Sequence, residues 1–122
     1  MGNHRDLIVY KKSFDLAMKI FRVSKQFPKE EIFGLTGQMR RSSRSVCSCL
    51  AEGYRKRKYP AHFISKLTDC DMENTETQVW LDFSIACEYI DQQLYDELFQ
   101  ASSEVGRLIG HMLENPEKYG GR

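Results

Sequence analysis

No run of about 18 apolar residues occurs in the 122-residue sequence, so no segment reads as a membrane-spanning helix. No apolar stretch follows the charged start Met1-Gly2-Asn3-His4-Arg5-Asp6, so a secretory signal is not expected. Asp6 also stands where a myristoylation pattern needs Ser or Thr. Together these absences predict a cytoplasmic protein. Histidine is scarce, and the residues three before His4, His62 and His111 are Met1, Tyr59 and Leu108, so the Glu-x-x-His signature of di-iron bundles is missing. Cys47, Cys49, Cys70 and Cys87 lack zinc-ribbon spacing. Cys47 and Cys49 would point about 200° apart around a helix and could not share an ion. All four read as small core residues in a reducing compartment. Gly34 and Gly37 precede a helix without the Lys-Ser/Thr ending of a phosphate-cradling loop. No metal, no cofactor and no enzymatic activity are expected.

What is present is charge, unevenly divided. Residues 1–58 hold 14 Lys and Arg against 5 Asp and Glu, a net of +9. Residues 59–122 hold 4 against 12, a net of −8. The halves can attract each other within a chain or head to tail between chains, and the first half concentrates positive potential for a polyanion.

Apolar spacing predicts four helices in one domain covering residues 1–122. Over residues 6–27 one seam runs Leu7, Tyr10, Phe14, Ala17, Phe21, Ser24, and a second runs Val9, Ser13, Leu16, Ile20, Val23, Phe27. Two seams suggest a wide contact within the chain or burial against another subunit. Pro28 ends this helix. The second helix, residues 35–53, takes Thr36 as its cap and Gly53 as its stop, and its small residues Ser42, Ser43, Ser45, Cys47, Ser48, Cys49 and Ala51 let a neighbour approach closely. Pro60 opens the third, residues 60–88, whose middle, residues 69–78, is polar. The fourth, residues 92–114, carries the seam Leu94, Leu98, Ala101, Val105, Leu108, Met112 and closes at Asn115-Pro116, with residues 118–122 as a frayed tail. With no strand signal, the expected fold is all-α, an antiparallel up-down-up-down four-helix bundle.

Several stretches carry a family resemblance: Phe27-Pro28-Lys29-Glu30-Glu31, Phe33-Gly34-Leu35-Thr36, Gln38-Met39-Arg40-Arg41, Ala51-Glu52-Gly53, Glu76-Thr77 with Trp80-Leu81, and Glu104-Val105-Gly106-Arg107-Leu108. In order and spacing the chain resembles the four helix bundle protein family, whose founding members are encoded in intervening sequences of bacterial 23S ribosomal RNA genes. The resemblance implies a bundle that assembles into a five-membered ring, with no associated enzymatic activity. A related branch, the accessory variability proteins of diversity-generating retroelements, implies reverse transcriptase and nucleic acid as partners.

Arg55-Lys56-Arg57-Lys58, bracketed by Tyr54 and Tyr59, is the candidate nucleic-acid contact: cations displace counterions from phosphates and tyrosines stack on unpaired bases. Arg40 and Arg44 extend the patch if they project outward. The competing reading is a solvated hinge, with Arg41 or Arg44 paired to carboxylates. Glu52 and Glu76 read as structural acceptors for Arg41 or a neighbouring helix, and Trp80 as an interface anchor. The expected function is non-catalytic nucleic-acid binding, to RNA, by a homo-oligomer; the alternative is a protein-interaction scaffold.

Overall fold

The computed structural model describes residues 2–119. Four long helices, α1 (Ile8–Ser24), α2 (Leu35–Arg55), α3 (Pro60–Ala86) and α4 (Gln92–Glu114), are followed by one turn, α5 (Pro116–Tyr119). Short 3-10 turns at His4–Asp6 and Lys29–Glu31 precede α1 and α2, and no strand occurs among the described residues. Cross-helix bonds give the directions. Lys12 meets Glu104 while Lys19 meets Glu97, so α1 opposes α4. Arg41 meets Glu76 while Glu52 meets Lys66, so α2 opposes α3. Asn74 meets Ser102 while Tyr95 meets Asp82, so α3 opposes α4. Arg40 reaches Ser24 while Val9 packs in one cluster with Val46 and Leu50, so α1 opposes α2. The fold is the antiparallel up-down-up-down bundle that the spacing predicts.

Its core is two apolar layers with a polar waist between them. One layer gathers Val9, Val46, Leu50, Phe63, Leu67, Cys70, Val105, Ile109 and Met112, and the other Leu16, Ile20, Phe27, Leu35, Met39, Leu81, Ile90 and Leu98. Each large aliphatic side chain so buried contributes about 1.5–3 kcal/mol. At the waist, Ser13, Ser42, Ser43, Asn74, Thr77 and Ser102 are buried, and no water fits between Ser13, Ser43, Asn74 and Thr77. The polar groups must therefore satisfy one another or the backbone. Ser42 Oγ and Thr77 Oγ1 lie 2.8 Å apart, Asn74 Nδ2 donates to the Ser102 carbonyl at 2.9 Å, and Ser102 Oγ donates to Asn74 Oδ1 at 3.0 Å. Ser13 and Ser43 donate to the carbonyls of Val9 and Met39 one turn back. The polar stretch of residues 69–78 is helical throughout, and it supplies Asn74 and Thr77 to this layer.

Several helix ends depart from expectation. α1 stops at Ser24, short of residue 27, because the chain tightens into i to i+3 bonds, Lys25 N–H to Arg22 and Phe27 N–H to Ser24. At its start Asp6 belongs to the separate turn, where it and Asn3 form a reciprocal capping box. Thr36 does not cap α2. It is buried inside the helix with Oγ1 unpartnered, Gly34 takes the N-cap position, and Glu31 Oε1 accepts from the Leu35 N–H at 3.0 Å. Gly53 does not stop α2, which continues to Arg55; Gly53 is buried against Lys66 of α3, whose Cβ lies 3.4 Å from where a Cβ on Gly53 would sit. α3 ends at Ala86, before residue 88, where Glu88 takes φ 63°. Lys118 and Tyr119 are in α5, where the Tyr119 hydroxyl and His111 Nδ1 lie 2.9 Å apart, so the expected tail is helical at those two residues, while residues 120–122 lie outside the described residues.

All four thiols are free, and Cys87 is exposed just past α3 instead of serving as a core residue. Burial pushes the Cys47 thiol up to about 11 and the Cys70 thiol up as well. No helix among the described residues is long and apolar enough to cross a membrane.

Candidate nucleic-acid interface

α2 turns one face inward through Leu35, Met39, Ser42, Ser43, Val46 and Leu50. At 100° per residue, Arg40, Arg44, Ser48 and Arg55 then fall within a stripe on the opposite face. The stripe spans about 22 Å from Arg40 to Arg55 at 1.5 Å per residue. Near its start lies an open groove of about 460 Å3, lined in part by Ile32, Arg40, Arg41, Arg44 and Ser48.

Arg40 is half-buried at the seam with α1: Nε donates to Ser24 Oγ at 2.8 Å, Nη2 donates to the Phe21 carbonyl at 3.4 Å, and its Cζ lies 4.8 Å from the Phe21 ring centroid. Arg44 is exposed, with Cζ 5.7 Å from the same centroid, and Lys25 Nζ approaches it to 4.8 Å. An exposed cation–π contact contributes about 0.5–1 kcal/mol. None of the three cations has a carboxylate within 4.0 Å among the described residues. Phe21, Ser24 and Lys25 were not among the sequence candidates; the four-residue step from Phe21 to Lys25 hinted at a pair, but only the crossing of α1 and α2 brings Arg40 and Arg44 to the ring.

Arg41 points to the other side of α2, toward α3. It donates through Nη2 to Glu76 Oε2, and its Nη1 sits 3.5 Å from Glu73 Oε1, a buried oxygen without a hydrogen-bond partner. The Glu76 bond and the nearby negative charges raise the Arg41 pKa above its ordinary value. Glu76 also accepts from Trp80 Nε1 at 3.2 Å, so Trp80 is tied into the α2–α3 seam. Glu52 accepts from Lys66 Nζ at 2.9 Å and has no contact with Arg41. The bond to Glu52 raises the Lys66 pKa. These half-exposed pairs contribute about 0–1 kcal/mol each. Together with Lys12–Glu104 and Lys19–Glu97, they join the basic and acidic halves of the sequence within the chain.

The tetrabasic segment occupies the last turn of α2 and the tight connection to α3. Arg55, Lys56 and Lys58 are exposed and free of ion pairs among the described residues. Arg57 folds back: Nε donates to the Tyr54 carbonyl at 2.7 Å and Cζ covers the Tyr54 ring at 3.6 Å. One face of Tyr54 is therefore covered by Arg57. Tyr59 is 58% exposed, with the His62 ring edge to face 6.1 Å away. The structure thus gathers Arg40, Arg41 and Arg44 around one groove, where among the described residues Arg41 alone is paired to carboxylates, and puts Arg55, Lys56, Lys58 and Tyr59 at and beyond the far end of α2. No group of three or more His, Cys, Asp or Glu among the described residues could hold a metal ion.

Such a row of cations can track a polyanion. No curated protein matches the chain. A crystal structure of a protein of unknown function from the S23 ribosomal protein family of Bacteroides thetaiotaomicron is similar, with 29% identity and a TM-score of 0.80 over 88% of this chain and 96% of that one. A family model described as 23S rRNA-intervening sequence protein matches residues 5–111. The bundle and the matched span together place this chain in the 23S rRNA-intervening sequence protein family.

Proposed function

We propose that the protein is a non-catalytic RNA-binding protein that acts as a homo-oligomer and contacts RNA through the outer face of α2 and the turn that follows it. One observation carries this reading: Arg40, Arg44 and Arg55 lie along the outer face of α2, with Lys56 and Lys58 in the turn just beyond it, all without ion-pair partners among the described residues, while Arg41 of α2 and Lys66 of α3 are paired across the α2–α3 seam. Unpaired cations in a row retain full electrostatic attraction for phosphates, whose counterions they release. The family's name, which refers to an intervening sequence of 23S rRNA, favours RNA over DNA. Phosphate contacts position a strand without reading its sequence, so little base specificity is expected.

Self-association is supported by apolar surface with nothing on it. Phe33 is 95% exposed in the α1–α2 connection. α3 also exposes an apolar stripe, Ile64, Met72, Val79 and Phe83, set among polar residues such as Thr68 and Thr75, while Phe63, Leu67 and Leu81 fill the core. A ring of five, as the family resemblance implies, would present several copies of the basic stripe and add weak contacts by multivalency. The same apolar stripe favours the second reading, a scaffold that docks another protein, such as a reverse transcriptase, with no RNA role.

The test is fluorescence anisotropy of a labelled single-stranded RNA at two salt concentrations, with wild type beside a variant in which Arg55, Lys56, Arg57 and Lys58 are all Ala. Wild-type binding that weakens with salt and is reduced, with a smaller salt dependence, in a still-oligomeric variant is the expected result. No binding by wild type at low salt overturns the RNA reading in favour of the scaffold.

A further inference from the structure

Three cations crowd one phenyl ring where α1 crosses α2. Lys25 Nζ, Arg40 Cζ and Arg44 Cζ stand 4.8, 4.8 and 5.7 Å from the Phe21 centroid. Their charges consequently lie within about one Debye length of each other, ~10 Å at 0.1 M salt, and repel. Among the described residues no carboxylate pairs with any of them, although Lys12, Lys19, Arg41 and Lys66 all have partners. Arg40 is fixed before any ligand arrives, because Ser24 Oγ takes its Nε–H and the Phe21 carbonyl takes an Nη2–H. Arg40 and Arg44 both line the open groove beside Ser48, with the paired Arg41 on the same groove. A cluster of like charges, one member held in place and the others on an aromatic platform, is relieved when an anion shares its donors.

We propose that Lys25, Arg40 and Arg44 around Phe21 form a preorganised site for a phosphate group at the α1–α2 seam. The site deepens the RNA reading, on which it rests for the phosphodiester as its natural ligand, and it makes the seam, not the tetrabasic turn, the place where the strand is anchored. The turn at residues 55–58 lies at the far end of α2 and has no comparable scaffold: Arg57 is bonded to its own turn, and Lys56 and Lys58 are free in solvent. A fixed guanidinium loses less freedom on binding than a free lysine, so the seam is the stronger contact per charge.

The experiment uses the full chain and a Lys25→Gln/Arg44→Gln variant, in which both changed side chains are exposed, with circular dichroism to establish that the fold is kept. Two ligands are compared: inorganic tripolyphosphate, read as a rise in melting temperature at matched ionic strength, and labelled single-stranded RNA, read as the salt dependence of affinity. Tripolyphosphate is expected to raise the melting temperature of wild type and not of the variant. The slope of log K against log salt is expected to fall by about 0.7 for each phosphate of a single strand that the variant no longer neutralises. An Arg44→Lys variant, which keeps the charge, retains most of the slope and loses part of the tripolyphosphate effect. If wild type responds to tripolyphosphate and the variant does not, while neither binds RNA, the seam site stands and the RNA reading falls. If the variant binds RNA with the wild-type slope and keeps the tripolyphosphate shift, the seam proposal is overturned and the RNA reading survives on the turn alone. No response of wild type to either ligand removes both.

Discussion

Single side chains hold the seams of this bundle, and their contributions can be measured one at a time. Arg41 is the hub of the α2–α3 seam, since it engages Glu73 and Glu76 while Glu76 also takes the indole N–H of Trp80. Arg41→Gln is expected to cost about 1 kcal/mol in urea denaturation, near the upper end for a half-exposed pair. It should also shift the emission of Trp80, whose acceptor is left to find another partner. The tyrosines set an alkaline limit. Tyr89 donates to Glu31 at 2.9 Å and Tyr95 to Asp82 at 2.6 Å, and each hydrogen bond to a carboxylate pushes the phenol up to about 12. A phenol whose pKa is higher folded than unfolded stabilises the fold fully below its ordinary pKa of 10.0 and loses that contribution as pH rises through about 12. The melting temperature should therefore fall steeply between these values, and a Tyr89→Phe/Tyr95→Phe variant should show a shallower fall over that interval.

At the scale of the helix, the connection between α1 and α2 is shaped by close approach. A Cβ on Gly37 would stand 2.6 Å from the carbonyl oxygen of Ile32, a backbone atom that cannot swing away. Alanine here gains about 1 kcal/mol of helix propensity but forces the turn apart, so Gly37→Ala is expected to destabilise by about 1–2 kcal/mol net. Thermal or chemical denaturation checks this, and a stabilised variant would show that the turn is free to yield. The same region explains what the sequence disclosed and what it did not. The seams of α1 and α4 recur at helical spacing and identify their helices unaided. The middle of α3 hides its inward face, because Asn74 and Thr77 are the buried residues there and a search for apolar periodicity passes over them. The start of α2 misleads because its cap comes from Glu31, four residues before Leu35 and outside the helix, while Thr36 looks like a cap and is buried instead. For the candidate interface, the density of Arg and Lys on one helix was legible. Which of them are free was not, since that depends on Phe21, Glu73 and Glu76 arriving from neighbouring helices.

For the molecule as a whole, the opposite charges of the two halves are partly joined inside the chain, and what remains is a basic stripe on α2 and an uncovered apolar stripe on α3. Phe33 makes the assembly testable without disturbing the bundle, because a side chain 95% exposed has little to lose within its own subunit. Light scattering after size exclusion should give a multiple of the 14.3 kDa chain mass for wild type, and the single-chain mass for Phe33→Asp with unchanged helicity. A monomeric wild type would count against self-association. The polar waist has a further consequence, for how the chain chooses among alternatives. Four helices with two interchangeable oily ends could be threaded clockwise or anticlockwise, or with one helix displaced by a turn, and bury much the same aliphatic area each time. Ser42 and Thr77 can fall back on carbonyls of their own helices, but the Asn74 amide finds its partners on Ser102 of α4, and a threading that parts the two strands a buried amide at about 1–3 kcal/mol. The waist thus acts less as glue than as a password, admitting one topology and rejecting its near twins.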